Sequence, residues 1–171
     1  MIIIFTGNGK GKTTAAIGQA IRAIGQDKRV LMIQFIKKEG VSGEQKFIKK
    51  LKSPKFKIIA TGKGFVSMPG DKISFPAHKK SAQNGLKLAK RAIKSKKWDL
   101  IILDEINVAV DLKLIKAVDV LKILKPIEID IIFTGRHTPK SFIKKADLVT
   151  EMKEIKHPFK KGIKAVKGIE Y

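Results

Sequence analysis

The feature that most constrains this chain is a glycine- and lysine-rich segment near its start. It follows an apolar run at Ile2 to Phe5, precedes a helical pattern over Lys12 to Gly25, and reads Thr6-Gly7-Asn8-Gly9-Lys10-Gly11-Lys12-Thr13-Thr14. Glycines in such a turn let backbone N–H groups face inward, and the helix N-terminus adds positive potential, so the segment can cradle phosphate. The strand–loop–helix context predicts a P-loop nucleotide site.

The last residues of this loop carry its side-chain chemistry. We expect Lys12 to reach phosphate oxygens and the Thr13 hydroxyl to ligate Mg²⁺. Thr6 stands where the usual pattern has its first glycine. A glycine-rich turn without a ligand is the alternative, and the Gly-Lys-Thr ending between a strand and a helix disfavours it.

Alternating strand and helix patterns continue along the rest of the chain. Long apolar runs of this kind are typical of strands buried in a parallel sheet. We predict a three-layer α/β fold of the P-loop NTPase (RecA-like) class, with a mostly parallel sheet, in one domain over residues 1–171. The further strands are predicted at Val30 to Ile36, Phe56 to Ala60, Leu100 to Leu103, Ile129 to Phe133 and Leu148 to Met152, and the helices at Gly43 to Leu51, Ala77 to Lys96 and Leu112 to Leu124.

Two segments are predicted to lack regular structure. Thr61 to Pro76 is rich in glycine and proline, and long loops in compact domains are often functional. The basic tail from Lys153 to Tyr171 is expected to wrap the surface.

Composition narrows the classes of function. The 171 residues include no cysteine, which excludes disulfides, thiolate metal sites and cysteine nucleophiles. No stretch approaches the roughly 18 apolar residues of a membrane span, and the first strand does not read as a signal peptide, so we expect a cytoplasmic protein with no membrane partner. Lys and Arg number 37 against 15 Asp and Glu, a net charge of +22, which should attract polyanions without naming one.

Two other predicted strands end in charged side chains. Asp104 and Glu105 follow Leu100 to Leu103, and Arg136 follows Phe133-Thr134-Gly135. Because parallel strands bring their carboxyl ends to one edge, these residues should lie beside the phosphate loop. Asp104 and Glu105 would face opposite sides of a continuing strand, so only one should contact Mg²⁺ directly. Arg136 is expected to stabilise charge on phosphate, the alternative being a solvated arginine.

Several segments resemble the corrinoid (cobalamin) adenosyltransferases of the CobA/CobO/BtuR type. The resemblance covers nearly the whole chain in register, and it includes a threonine at the first position of the phosphate loop. The segments that carry it are Phe5 to Ala16, Arg22 to Gly25, Val30 to Phe35, Gly43-Glu44, Gly62-Lys63-Gly64-Phe65, Leu103-Asp104-Glu105, Thr134-Gly135-Arg136, Asp147 to Met152 and Lys156 to Tyr171.

The resemblance implies transfer of the 5′-deoxyadenosyl group of ATP to the cobalt(I) of a reduced corrinoid, with release of triphosphate. It also implies that ATP lies in the loop in the opposite sense to most P-loop enzymes, with Asn8 near the ribose. It assigns catalytic roles to Lys12, Thr13 and Glu105, corrinoid binding to Phe65, and Mg²⁺ (or Mn²⁺) binding to Thr13, Glu105 and Asp104. The implied ATP-binding residues are Gly7, Asn8, Gly9, Lys10, Gly11, Lys12, Thr13, Thr14, Arg22 and Arg136.

The chain departs from the family in two places. Ser67 stands where relatives have the tryptophan of a Gly-Phe-x-Trp loop that displaces the lower axial ligand of the corrinoid, and Trp98 lies elsewhere. The chain also starts directly at its first strand, without the extension that covers the site in some relatives. We expect a more open pocket, or one covered by a partner subunit or by the basic tail. The family further implies a homodimer and an acidic flavoprotein reductant, which a basic surface would attract.

Two other functions remain open at this stage. A RecA-like ATPase stimulated by nucleic acid fits the charge. The aromatic content of 6% and the lack of interleaved basic and aromatic residues make nucleic acid the less favoured partner. A non-catalytic nucleotide or corrinoid carrier would fit the loss of tryptophan at Ser67. The natural acceptor, complete cobalamin or a precursor, is also open.

Overall fold

The computed structural model describes residues 1–125 and 128–170 and shows one six-stranded sheet flanked by helices. The strand order is β3-β2-β4-β5-β1-β6, and every neighbouring pair is parallel. The strands are β1 (Ile2–Thr6), β2 (Val30–Gln34), β3 (Phe56–Ala60), β4 (Leu100–Asp104), β5 (Asp130–Thr134) and β6 (Leu148–Glu151). The helices are α1 (Lys12–Gly25), α2 (Gly43–Leu51), α3 (Phe75–Lys94), α4 (Ile106–Asp111), α5 (Ala117–Ile123) and α6 (Lys140–Ile143), with a 3-10 turn at Pro158–Lys161.

The sheet separates two apolar cores, as the three-layer prediction requires. Alternate residues of each strand face opposite sides, so that Ile101 and Leu103 enter one core while Leu100 and Ile102 enter the other. Helices α1 and α2 cover the second core, and α3 to α6 contribute to the first. The α/β P-loop fold with a parallel sheet is therefore confirmed.

The predicted helix from Leu112 to Leu124 is wrong in its first half. Lys113 has a positive φ of 58°, and the N–H groups of Leu114 and Ile115 both donate to the carbonyl of Ala109. These contacts end α4 in a tight turn, and a separate helix begins at Ala117. Leu114 and Ile115 are buried in that turn, which explains why their spacing imitates a helix face.

Smaller differences lie at element ends. Helix α3 begins at Phe75, inside the predicted loop, and ends at Lys94. Strand β2 ends at Gln34, and the short helix α6 was not predicted. The last residue of the predicted tail, Tyr171, lies outside the described residues.

The topology places the ends of β4, β5 and β1 side by side. Because β5 pairs with both neighbours in parallel, Asp104, Thr134 and Thr6 close the same edge of the sheet. This edge is where a parallel sheet binds ligands. In the described part of the chain, no helix is long and apolar enough to span a bilayer.

Candidate nucleotide and corrinoid site

The phosphate loop is held against the end of β6. The Gly9 N–H donates to the Met152 carbonyl at 2.7 Å, and the Met152 N–H donates to the Thr6 carbonyl at 2.8 Å. A Cβ on Gly9 would lie 2.7 Å from the carbonyl oxygen of Lys153, so only glycine fits there. Gly11 precedes α1 with a φ of 118°, a left-handed conformation that glycine adopts without strain. The backbone therefore has the cradle shape that the sequence predicts.

Lys12 is folded over the loop. Its Nζ donates to the carbonyls of Gly7 at 2.8 Å and Gly9 at 2.6 Å, and the side chain is buried. Burial lowers the pKa of Lys12, and the carboxylate of Glu105 opposes that change. The ammonium group is thus held at the centre of the loop, where phosphate oxygens would approach it.

Asp104 is the hub of a buried polar network. Its Oδ1 accepts hydrogen bonds from Thr13 Oγ1 at 2.8 Å and from Thr134 Oγ1 at 2.7 Å. Its Oδ2 accepts one from Gln34 Nε2 at 3.0 Å and lies 3.5 Å from Lys37 Nζ. The residue is fully buried. Asp104 therefore orients Thr13 from behind the cavity rather than lining it.

Glu105 lines the cavity, unlike Asp104. Strand β4 ends at Asp104, and Glu105 turns with a φ of 60° to cap α4, so the expected alternation along a continuing strand does not apply. Burial, and then the Asp104 carboxylate, raise the pKa of Glu105 to about 7, against the opposing cations Lys12 and Lys37. A buried carboxylate whose charge the nearby cations offset only in part is suited to receive a further cation.

A cavity of about 730 Å³ opens over these groups. The expected residues Gly9 to Thr14, Glu105 and Arg136 line it. Lys37 and Glu44 line it from the β2 side, and the tail contributes His157 and residues 168–170. The volume lies in the range of nucleotide-sized sites. The tail thus reaches the mouth of the site rather than wrapping a remote surface.

Three expected nucleotide ligands do not line this cavity. Arg22 is exposed near the end of α1, with its guanidinium 3.5 Å from Gln19 Oε1. Asn8 lines a neighbouring depression with Glu151 and Lys153. Gly7 does not line the cavity, and its carbonyl accepts a hydrogen bond from Lys12 Nζ. The structure therefore brings together the loop, Asp104, Glu105 and Arg136, and leaves Arg22 apart.

Phe65 lies in the long loop between β3 and α3. Its side chain is 75% exposed, and exposed Met68 and Ile73 follow it. The Asp71 carboxylate shapes this loop, since it accepts hydrogen bonds from the N–H groups of Ser67 (2.8 Å) and Ile73 (2.9 Å). These backbone bonds to Ile73 and Ser67, together with His78, lower the pKa of Asp71.

His78 fastens this loop to the body of the protein. It is a buried residue of α3, and its Nε2 lies 3.0 Å from Asp71 Oδ2. The loop therefore presents an exposed apolar surface that one buried pair anchors.

Lys37 is the main site residue that was not predicted from the sequence. Its Nζ lies 2.7 Å from Glu44 Oε1 and 3.5 Å from Asp104 Oδ2. Burial opposes its charge, but Asp104 and Glu44 outweigh burial and raise the pKa of Lys37. Its position just after β2 was the available signal, because that strand also ends at the ligand edge.

The donor set fits a small hard cation that phosphate oxygens help to hold. The Thr13 hydroxyl donates its hydrogen bond to Asp104, which leaves its lone pairs available to a cation, and Glu105 offers a carboxylate in the cavity. In residues 1–125 and 128–170, no three His, Asp or Glu side chains converge as a cage. Mg²⁺ suits such a site, because it commonly takes few protein ligands beside phosphate and water.

Comparison with known proteins decides the family. The family described as ATP:corrinoid adenosyltransferase BtuR/CobO/CobP matches residues 1–171. The chain belongs to this family. Curated corrinoid adenosyltransferases from Sinorhizobium sp and Escherichia coli (strain K12) are 36% and 35% identical to it. Both alignments cover 100% of this chain, with 80% of the first relative and 85% of the second.

A further relative, named corrinoid adenosyltransferase CobA, from Salmonella typhimurium, is 34% identical over 100% of this chain and 85% of its own length. Among solved structures, the flagellar accessory protein FlaH from Methanocaldococcus jannaschii has a TM-score of 0.57 at 18% identity. That match covers 88% of this chain and 69% of FlaH and supports the fold alone.

Proposed function

We propose that this chain transfers the 5′-deoxyadenosyl group of ATP to the cobalt(I) of a reduced corrinoid and releases triphosphate. The observation that carries the proposal is the phosphate-loop cavity, in which Lys12, Thr13, Glu105 and Arg136 converge, in a chain that belongs to the family over its full length. The same match favours transfer over a nucleic-acid-stimulated ATPase.

The residues of the site act on the leaving group. The cobalt(I) electron pair forms a bond to the 5′ carbon while the bond from that carbon to the triphosphate oxygen breaks, and both electrons of the broken bond leave with triphosphate. The loop N–H groups, the N-terminus of α1, Lys12 and Arg136 stabilise the negative charge that results. No side-chain nucleophile is needed, so catalysis consists of positioning and electrostatics.

A divalent cation, Mg²⁺ or Mn²⁺, completes this proposal. Thr13 and Glu105 would hold it, with Asp104 orienting the Thr13 hydroxyl through their 2.8 Å hydrogen bond. When bound, it would neutralise charge on the triphosphate. Glu105 must then be ionised, which Lys12, Lys37 and Arg136 favour electrostatically.

Phe65 and its loop form the proposed corrinoid side. A flat macrocycle needs an apolar surface, and Phe65 with Met68 supplies one that the protein leaves open. Ser67 has a φ of 54°. It stands at the position where the family that this chain resembles has a tryptophan, and it offers no aromatic ring. We therefore assign corrinoid contact to Phe65 and not to Ser67. Arg22 is left out of the proposed triphosphate site, because it lies near the end of α1 and does not line the cavity.

Three further expectations belong to the same proposal. The net charge of +22 supports an acidic reductant such as a flavoprotein, because opposite charges steer encounter. Reduced corrinoid chemistry also suits a cytoplasmic location, and the family resemblance supports a homodimer. Sedimentation of the purified protein tests the dimer, and the salt dependence of the reductant-driven rate tests the steering.

The direct test is an anaerobic assay with ATP, Mg²⁺ and chemically reduced cob(I)alamin, repeated with cobinamide. Formation of the adenosyl product is followed by its spectrum, and triphosphate is measured separately. Lys12→Ala removes the buried cation and should lower the rate by about 100-fold or more. Lys87→Ala is the control, since Lys87 is an exposed lysine of α3 that does not line the cavity.

Each outcome has a definite meaning. Product with the native chain that disappears in Lys12→Ala supports transfer. ATP binding without product from either corrinoid would refute transfer and favour the non-catalytic carrier. ATP hydrolysis that rises with added DNA or RNA would favour the ATPase instead.

A further inference from the structure

Three polar side chains connect the phosphate loop to the strand end that carries Arg136. Asn107 is fully buried in α4, and its Nδ2 lies 2.7 Å from Thr138 Oγ1. Thr138 Oγ1 lies 2.7 Å from Thr6 Oγ1. These hydrogen bonds therefore connect α4, the loop after β5 and the first residue of the phosphate loop. None of these residues lines the phosphate-loop cavity.

The direction of these hydrogen bonds follows from the donor types. Asn107 Nδ2 also donates to the Gly135 carbonyl at 3.2 Å, and a carbonyl only accepts, which fixes the orientation of the amide. Thr138 Oγ1 must then accept from Asn107. Its own proton is free to donate to Thr6. A valine at position 138 would lose both bonds, whereas a serine would keep them.

The hydrogen bonds of Asn107 hold the backbone on both sides of Arg136. The Asn107 amide bonds to Gly135, just before Arg136, and to Thr138, two residues after it. Gly135 has a φ of 129°, and a Cβ there would lie 3.0 Å from Asn107 Cβ. The turn is therefore pressed against the first residues of α4. The Arg136 side chain is exposed and lines the cavity, and the backbone held in this way is the point from which it reaches the site.

We propose that Thr6, Thr138 and Asn107 form a positioning relay that holds the backbone at Arg136 beside the phosphate loop. The threonine at the first loop position is explained by this role, because a glycine would offer no hydroxyl to Thr138. The inference rests on the proposed function, in which Arg136 stabilises the leaving triphosphate. The three residues are positioning residues, since they act on triphosphate only through Arg136.

The test compares Thr138→Val with Thr138→Ser. Loss of the relay should lower kcat/KM for ATP by about 5- to 20-fold, because small displacements of a charge-stabilising group weaken transition-state binding. Thr138→Ser should stay within about twofold of the native value. Thr150→Val, an exposed threonine on edge strand β6, is the matched control for replacing a hydroxyl by a methyl group.

A double mutant separates positioning from folding. In an Arg136→Ala background, Thr138→Val should change kcat/KM by less than about twofold, because the group it positions is gone. Undiminished loss in that background would overturn the relay, and so would native activity in Thr138→Val alone. If Thr138→Val does not fold, Thr6→Val against Thr6→Ser repeats the comparison from the other end.

Binding of inorganic triphosphate gives a readout that needs no corrinoid. Calorimetry should show weaker binding by Thr138→Val and normal binding by Thr138→Ser. Native protein that binds triphosphate but forms no adenosyl product would refute the proposed function, and the relay would still be judged on binding. Equal triphosphate affinity in the valine and serine variants would refute the relay alone.

Discussion

The two sides of the site differ in how they are built. On the nucleotide side, Asp104 is fully buried and accepts three hydrogen bonds, and Lys12 is fixed by two loop carbonyls. On the proposed corrinoid side, Phe65 is 75% exposed on a loop that the Asp71–His78 pair anchors. A buried polar network needs no rearrangement when charge develops, whereas an exposed apolar loop can adjust to its ligand.

This difference suggests that the nucleotide side and the loop side control different properties of the protein, a division of roles that can be tested. The nucleotide side should determine the rate of the chemical step, and changes there should also affect folding. The loop side should determine affinity for the acceptor and leave stability nearly unchanged. An effect on corrinoid affinity from the nucleotide side, or on the chemical step from the loop side, would contradict this division.

The largest effect is expected from Asp104→Asn. The substitution removes the buried charge that faces Lys37 and presents an NH₂ group to donors, so it should lower the transfer rate by about 100-fold or more and destabilise the protein by about 3 kcal/mol. Rate measurements and urea unfolding at neutral pH test both effects. Asp99→Asn, just before the other end of β4, removes a more exposed ion pair with Arg29 and should leave the rate within about twofold. Equal losses in the two variants would contradict the special role of Asp104.

The second prediction concerns Glu105 and pH in the metal-free protein. Its folded pKa is raised to about 7 from 4.5, so the folded state holds the proton more tightly than the unfolded state. Between pH 4.5 and about 7, Glu105 is ionised in the unfolded chain but still largely protonated in the folded protein. The free energy of unfolding therefore falls as the pH rises through this range. Glu105→Gln should therefore be more stable than the native chain by about 1–3 kcal/mol above pH of about 7.5, and no more stable below about pH 4.

Thermal unfolding across this pH range, with a chelator present, measures the difference. Glu128→Gln is a suitable control, because Glu128 lies at the surface and pairs with Lys96, which lowers its pKa. A stability difference at Glu105 that grows toward low pH would have the opposite sign to the prediction. It would mean that the carboxylate is compensated in the folded protein.

The sheet could be predicted from sequence because its strands are long apolar runs. Val30 to Gln34 and Leu100 to Leu103 are buried on both faces, and such segments differ from helices in length and in their flanking residues. The phosphate loop was equally visible, since its glycines and lysine are contiguous. The strand order was not predicted, but the rule that parallel strands bring their carboxyl ends to one edge put Asp104 and Arg136 near the loop, where the structure has them.

The parts that escaped prediction depend on single backbone turns or distant contacts. Helix α4 is only six residues long, and it begins directly after Glu105, which turns to a positive φ. The turn at Lys113 likewise divides what the pattern shows as one helix. Lys37 reaches Asp104 across 67 positions in sequence, and Thr6 reaches Thr138 across 132. No local pattern encodes such pairs.

The third prediction moves to the loop side. Phe65→Ala should raise the KM for corrinoid by about tenfold, because an exposed aromatic anchor contributes mainly to ligand contact. The KM for ATP and the unfolding midpoint should not change. Phe47→Ala on α2 removes a side chain that is 58% exposed and serves as the control. A fall in kcat with unchanged corrinoid KM would assign Phe65 to the chemical step and break the division.

The smallest effect is expected from Asp71→Asn. Asp71 accepts hydrogen bonds from His78 and from two backbone N–H groups. A neutral asparagine would accept fewer and weaker ones than a carboxylate, so the loop should sample more conformations. The corrinoid KM should rise by about three- to fivefold, because part of the binding energy is then spent on ordering the loop. Steady-state kinetics with each substrate varied in turn measure this, and Asp119→Asn on α5 is the control.

In a Phe65→Ala background the effect of Asp71→Asn should nearly disappear, since Asp71 acts by positioning the ring. A change in the KM for ATP would instead connect the loop to the nucleotide side, and the two halves would then work as one unit.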